Sequence, residues 1–253
     1  MRAATLILAL LTVSTHLHAQ SGWYGYGEQS IGGSMSTFDM PSNALNNCQC
    51  PSYTGADGSA LDMRIGAGYQ VGNESSITFF FGASVGYTFM DMVSTLPSDS
   101  LPSLDANGNV VLSITRFSLD ASFGLPNAFA EAGFRVGGVS LLVGGGLGML
   151  VDPYYEHWLR LIEPPDAVFD PALFPEDEVE FSPDGRGVRL SHGSSGFTTD
   201  VVPLIRATTG YDAVIGGQLI GLHAMILHGF ASPFEGYSGS MTTYTIGFRY
   251  TIR

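Results

Sequence analysis

Hydrophobic and polar residues alternate along much of this chain with a period of two. The alternation is cleanest near the C-terminus, where Tyr244, Ile246, Phe248, Tyr250 and Ile252 interleave with Thr243, Thr245, Gly247, Arg249 and Thr251. A strand sends successive side chains to opposite faces, so one face is apolar and aromatic and the other small or charged. The segment from Ala60 repeats this, with Leu61, Met63, Ile65, Ala67, Tyr69 and Val71 set against Asp62, Arg64, Gly66, Gly68 and Gln70. After a turn at Gly72-Asn73-Glu74-Ser75, Ile77, Phe79, Phe81, Ala83, Val85, Tyr87 and Phe89 continue against Thr78, Phe80, Gly82, Ser84, Gly86, Thr88 and Met90. Two alternating runs joined by a short turn predict a hairpin.

Further strands follow. Phe117, Leu119, Ala121 and Phe123 alternate with Ser118, Asp120, Ser122 and Gly124. Beyond Pro126 the apolar positions change parity, which predicts a bulge there or an extra turn at Leu125-Pro126-Asn127. Gly137-Gly138 leads into Val139, Leu141, Val143, Gly145, Leu147 and Met149, and another hairpin is expected from Val201 to Phe230 across Ile215-Gly216-Gly217. The first strand lies within Trp23 to Phe38, with Trp23, Tyr24 and Tyr26 as candidate interfacial aromatics. Short turns alternate with long polar connections at Asp39–Ser59, Ser94–Val111 and Asp152–Thr198 and a briefer one at Ser232–Ser240.

Composition sharpens this pattern. Hydrophobic residues make up 45% of the chain and charged ones only 13%, about half the usual soluble share of charge. The mean hydropathy is +0.20. Past the N-terminus no apolar run approaches the about 20 residues of a membrane helix. The longest, Val139 to Val151, is broken by Gly144, Gly145, Gly146 and Gly148. A membrane β-barrel reconciles an apolar chain with the lack of apolar helices, because it spreads the apolar residues over many strands. The fold expected is therefore an all-β antiparallel up-and-down transmembrane barrel of about eight strands, with short periplasmic turns and long extracellular loops. The lipid-facing aromatics are then Phe79, Phe81, Tyr87, Phe89, Tyr244, Phe248 and Tyr250. A soluble lipocalin-like barrel or a secreted sandwich is the alternative, but a face rich in glycine and charge fills a soluble core poorly.

The N-terminus reads as a signal peptide over residues 1–19: Arg2, the apolar core Leu6 to Val13, and cleavage between Ala19 and Gln20. The barrel domain is then residues 20–253, exported to the bacterial outer membrane. Cys48 and Cys50 are the only cysteines. In an oxidising envelope they form a local disulfide or remain thiols in preference to binding a soft metal. A net charge of −13 argues against nucleic acid.

These features resemble a family. The hairpin Leu61 to Phe89, the segment GVSLLVGGGLGMLVD from Gly138 to Asp152 and the closing strand YTIGFRYTIR from Tyr244 to Arg253 are similar to the Bacteroidetes-type outer-membrane β-barrels. These are the PorT-like group, of the eight-stranded size of OmpA-like barrels. The final residue, Arg253, departs from the terminal aromatic often found in such barrels. The resemblance implies outer-membrane lipid and lipopolysaccharide as surroundings and the barrel-assembly machinery as a partner in biogenesis. For some members it also implies a part in protein secretion.

Candidate chemistry lies on the inward face. Glu28, Asp62, Arg64, Arg116, Asp120, Glu131, Arg135, Arg206, Asp212 and Arg249 are predicted to form an ion network in a lumen just wide enough for side chains. Arginine suits this, since its planar fork serves two carboxylate oxygens. A plugged lumen is expected ahead of a narrow diffusion pore. The acidic connection Asp152–Thr198 carries a hairpin from Val179 to Leu190 and a surface for a protein partner, with no specific metal site or cofactor expected. His192 and Ser194 invite an acyl-hydrolase reading directed at lipid A, but a flexible loop there is the plainer expectation. His223 and His228, five apart on one strand, face opposite ways.

Overall fold

The computed structural model describes residues 21–40, 52–72, 77–174, 179–215 and 218–252. The signal peptide, Cys48 and Cys50, most of the Gly72–Ser75 turn, Gly216-Gly217, residues 176–178 of the acidic connection and Arg253 lie outside them.

Among the described residues the chain forms one antiparallel sheet of twelve strands, eight of which make a closed ring. The twelve are β1 (Gly22–Met40), β2 (Tyr53–Gly72), β3 (Ile77–Thr95), β4 (Asp99–Leu104), β5 (Val110–Val136) and β6 (Val139–Gly148). β7 (Val151–Glu163), β8 (Glu180–Phe181), β9 (Gly187–Gly193), β10 (Val202–Ile215), β11 (Gln218–Gly229) and β12 (Gly239–Ile252) complete it. Pairing runs β3-β2-β1-β12-β11-β10-β6-β5 and returns from β5 to β3, which closes a ring. Closure leaves the ring no free edge. β4, β7, β8 and β9 lie outside it.

At one end of the ring sit the start of β1, the end of β12 and the tight connections. Gly137 and Gly138 turn β5 into β6 with φ of 56° and 91°, backbone that a two-residue hairpin needs and glycine adopts without strain. At the other end two of the long connections carry strands of their own. β4 continues the path of β3 and pairs with β5, Asp99↔Thr115 to Leu104↔Val110. β7 continues the path of β6 and pairs with β5 from Ile114↔Glu163 to Gly124↔Val151. It then takes β9 as its other neighbour, and β9 takes β8. β5 is thus a 27-residue strand shared by the ring and an outer sheet of β4, β5, β7, β9 and β8.

The parity change at Pro126 is not a bulge between β3 and β5. Their register is unbroken from Ile77↔Val136 to Thr95↔Ser118. Odd residues of β5 point inward on both sides of Pro126: Leu119, Phe123 and Leu125 before it, Phe129, Glu131 and Arg135 after it. The backbone keeps its phase, and the interior changes from apolar to polar. Arg116 and Asp120, expected in the lumen, are even residues and therefore sit on the outward face. Arg116 is exposed and Asp120 half-exposed.

The outer wall of the ring is apolar. Ile65, Phe79, Phe81 (55% exposed), Phe89, Tyr244, Ile246 and Phe248 (66%) all face outward. Tyr250 and Tyr87 share that face but are half-buried. Tyr87 covers Gly124 so closely that a Cβ there would meet its ring. Trp23 is exposed and meets Tyr69 edge-on at 5.7 Å. Tyr24 and Tyr26, by contrast, are buried inside the ring and are not interfacial.

Candidate functional site: the lumen and the outer sheet

The lumen has two layers. Nearer the tight turns it is ionic. Glu28 of β1 accepts from Arg206 of β10 at 2.6 Å on Oε1, and from Arg249 of β12 at 2.5 and 2.8 Å on Oε2. Arg206 reaches Glu131 of β5 with its other terminal nitrogen, and the Tyr26 hydroxyl donates to the second Glu131 oxygen. Its Nε meets the Met225 sulfur at 2.9 Å. The Arg249 guanidinium also lies 4.8 Å from the centre of the Tyr26 ring.

A second group stands beside it. Asp62 pairs with Arg64 at 3.2 Å and accepts from the Thr88 hydroxyl at 2.7 Å. Asn127 donates to Thr88 at 3.1 Å. Arg64 stacks over Phe129, its carbon 4.9 Å from the ring centre. At the turn end, His223 Nε2 lies 2.9 Å from Asp212 Oδ1, and Arg135 stacks over Phe80 at 5.4 Å. Among the described residues the buried ionic groups are Arg64, Arg135, Arg206 and Arg249 against Glu28, Asp62, Glu131 and Asp212. Charge balance inside is therefore complete, leaving aside the two buried histidines. Buried charges are costly unless paired and hydrogen-bonded, as Glu28, Glu131, Arg206 and Arg249 are, while Arg135 Nη1, Arg64 Nε and Asp62 Oδ1 have no hydrogen-bond partner among the described residues.

Glycines on the inner wall make the space. A Cβ on Gly66 would fall 2.4 Å from the Tyr26 ring, one on Gly86 2.9 Å from the Arg64 guanidinium, and one on Gly146 2.7 Å from Phe129. Each large lumen side chain thus lies against a bare stretch of a neighbouring strand. This is why the small residues and the charges share one face in the sequence.

The other half of the lumen is apolar. Phe38, Met40, Tyr53, Met90, Met92, Leu119, Phe123, Leu125, Tyr155, Phe197, Phe234 and Met241 form one buried cluster there. Its cap is a bridge between two connections, in which Thr198 donates to the Pro233 carbonyl at 2.9 Å and Glu235 to the Gly196 carbonyl at 2.9 Å. An interior lined only by small and ionic residues does not describe this half. The signal was present: Met90 and Met92 occupy the parity that Thr78, Ser84 and Thr88 hold lower in β3. In the sequence His223 stands out only as facing away from His228 and not as part of the lumen network, though its inward phase follows from the alternation.

The outer sheet has its own small core of Leu159, Leu161, Ala167, Phe169 and Val188. Arg186 ties the β7–β9 connection together by donating to five carbonyls, those of Leu161, Ile162, Pro164, Pro165 and Ala167. On the outward face Asp120 pairs with Arg160 at 3.2 Å, and Arg189 bridges Glu156 and Glu180. Partial burial pushes the Glu156 carboxyl up, but donation from Trp158, Arg189 and Tyr154 outweighs it and holds the group below the usual range. His192 stands on β9 opposite Glu156, not in a loop. Since that carboxylate already serves three donors, it does not orient the His192 ring. Among the described residues no hydrogen bond joins His192 to Ser194. No cluster of metal-ligating side chains occurs among them either.

No family model and no curated protein matches the chain. Solved structures do. Neisserial surface protein A is 12% identical over 92% of this chain and 99% of its own, with a TM-score of 0.36. The attachment invasion locus protein Ail of Yersinia pestis is 12% identical over 90% and 99%, at 0.31. The outer-membrane protease OmpT of Escherichia coli is 9% identical over 95% and 100%, at 0.34. At these values the neighbours settle neither activity nor partner for this chain.

Proposed function

We propose that the chain is an integral outer-membrane barrel whose lumen is plugged and whose role is structural or interactive, carried by the sheet it raises outside the membrane. One observation carries the reading: large apolar side chains face outward all round a ring whose interior holds four arginines and four carboxylates. A water-soluble protein inverts that arrangement, while a lipid-embedded barrel requires it. The apolar face of β2 runs from Leu61 to Val71. At about 3.3 Å per residue and a tilt of about 45° this makes a belt ~25 Å tall, the height of a bilayer core. Polar residues Asp57, Ser59 and Asp91 follow beyond the belt, on the side of the long connections.

The ionic layer and the apolar cluster in series support a closed lumen. The tight turns are then periplasmic, and β4, β7, β8 and β9 stand outside the cell. The test is expression with the native N-terminus, membrane fractionation, and gel migration with and without boiling. A heat-modifiable band in the outer-membrane fraction is expected. Protein that stays in the aqueous phase without detergent sinks the reading.

A further inference from the structure

The outer sheet leaves one apolar face bare. Val110 and Leu112 of β5 are each 73% exposed, and Ile114 and Ile162 are exposed beside them. Register brings Pro102 of β4 opposite Leu112 and Leu104 opposite Val110 on the same face. The stripe is not part of the wall of the ring. Between the two lies a band of Arg116, Asp120, Glu156, Trp158, Arg160 and Arg189, which joins ion pairs to a stacked indole. Lipid does not reach across such a band, so the stripe faces water. Contiguous apolar surface in water marks an interaction site.

The surrounding charge says what fits. Glu163 stands opposite Ile114 in the register and Asp105 sits in the turn that joins Leu104 to Val110, and among the described residues neither has an arginine partner. The basic residues on this side are already engaged. Arg160 and Arg189 are in ion pairs, Arg186 is held by carbonyls, and Arg116 donates to Ser98. The lumen is charge-balanced, and among the described residues the excess of carboxylates over arginines outside it lies on the side of the long connections.

We infer that the tip of the β4–β5 hairpin docks a cationic polypeptide with an apolar stripe. Its lysines or arginines meet Asp105 and Glu163, and its apolar side chains cover Val110, Leu112, Ile114 and Ile162. Complementary charge sets orientation and rate of encounter, and the apolar centre supplies adhesion. This rests on the outer-membrane reading for the position of the tip.

The test uses the full protein in nanodiscs of zwitterionic lipid. The probes are two fluorescent amphipathic peptides, one of leucine and lysine, the other of leucine and glutamate, with empty discs as blank. The lysine peptide is expected to bind at least about tenfold tighter than the glutamate peptide, and more weakly as salt rises. Two surface variants, Val110→Ser with Leu112→Ser and Asp105→Asn with Glu163→Gln, are each expected to lose that preference while keeping the heat-modifiable band. Equal binding of both peptides, or wild-type binding by both variants, overturns the proposal. So does a Leu112→Cys side chain, in a Cys48→Ser, Cys50→Ser background, that resists maleimide in the free protein, because another segment then covers the stripe. Failure to enter nanodiscs speaks against the membrane reading alone. The peptide comparison then runs on the soluble protein with the same two outcomes.

Discussion

Arg206 and Glu28 stand 178 positions apart in the chain and 2.6 Å apart in the lumen. Arg206 spans from Glu28 to Glu131 and so ties strands β1, β5 and β10 across the interior of the ring. Such a contact forms only when the ring has closed. The network therefore acts as a check on register: a slip of one residue in any of these strands turns its charge to the outer wall.

Removing Glu28 leaves Arg249 charged, buried and without its ion-pair partner, and takes one of two partners from Arg206. Glu28→Ala is expected to cost about 3–5 kcal/mol, read as a lower urea midpoint in detergent. Arg64→Ala, which strips Asp62 of its partner, is expected to act the same way. Planar-bilayer conductance is expected to stay at background for both, because the apolar half of the lumen remains shut. Open channels with unchanged unfolding would refute the closed lumen.

The inner-wall glycines make a paired test. Gly66→Ala drives a methyl group into the Tyr26 ring, whereas Gly27, on the outer face, has nothing within 4 Å of a new Cβ. We expect Gly66→Ala to destabilise by about 1–3 kcal/mol through overpacking. Gly27→Ala is expected to be neutral or slightly stabilising, since it reduces the freedom of the unfolded strand. Equal effects would show that volume in the lumen is not limiting.

Burial among Tyr53 and Phe117 lowers the His157 pKa from 6.5 to about 4. Between those values the unfolded chain holds the extra proton and the folded one does not. The contribution is therefore complete above about pH 6.5 and is lost as pH falls toward 4. Opening of the β7–β9 sheet, followed by limited proteolysis, is expected to rise about a hundredfold from pH 7 to pH 4, and His157→Phe to remove most of that rise. A pH profile that His157→Phe leaves intact assigns the effect to other groups.

Arg186 turns the two terminal nitrogens of its planar fork on five carbonyls of the β7–β9 connection. Lysine carries three donors on a point charge. Both Arg186→Ala and Arg186→Lys are thus expected to speed protease cleavage between Pro164 and Gly185 at least several-fold, with the unfolding of the ring unchanged. Rescue by lysine would mean that charge, not the fork, organises the connection.

Most of the ring was legible from alternation because its outer wall is uniformly apolar, from Ile77 to Phe89 and from Tyr244 to Ile252. The phase failed where the interior stopped being polar. At Phe117 to Phe123 the hydrophobic positions mark the inside, and at Ala128 to Val136 they mark the outside. A pattern of hydrophobicity alone reads this as a slip of the strand. That error sent Arg116 and Asp120 to the lumen on paper. Tyr24 and Tyr26 were misplaced for a related reason. Tyrosine suits both a membrane interface and a hydrogen-bonded interior, and only the partners Glu131 and Gly66 decide between them. The hairpin read from Val179 to Leu190 is the pair β8–β9, whereas β4 and β7 were hidden because their turns are rich in proline, glycine and acid. Polar connections of that composition look alike whether or not they pair.

The length of β5 has a further consequence. Its 27 residues make a single beam of about 90 Å at ~3.3 Å per residue, gripped by β3 and β6 at one end and by β4 and β7 at the other. A beam clamped in this way works as a ruler. The height at which the hairpin tip meets its surroundings is written into the residue count between Val110 and Ser122, and paired deletions in β4 and β5 would lower it in steps.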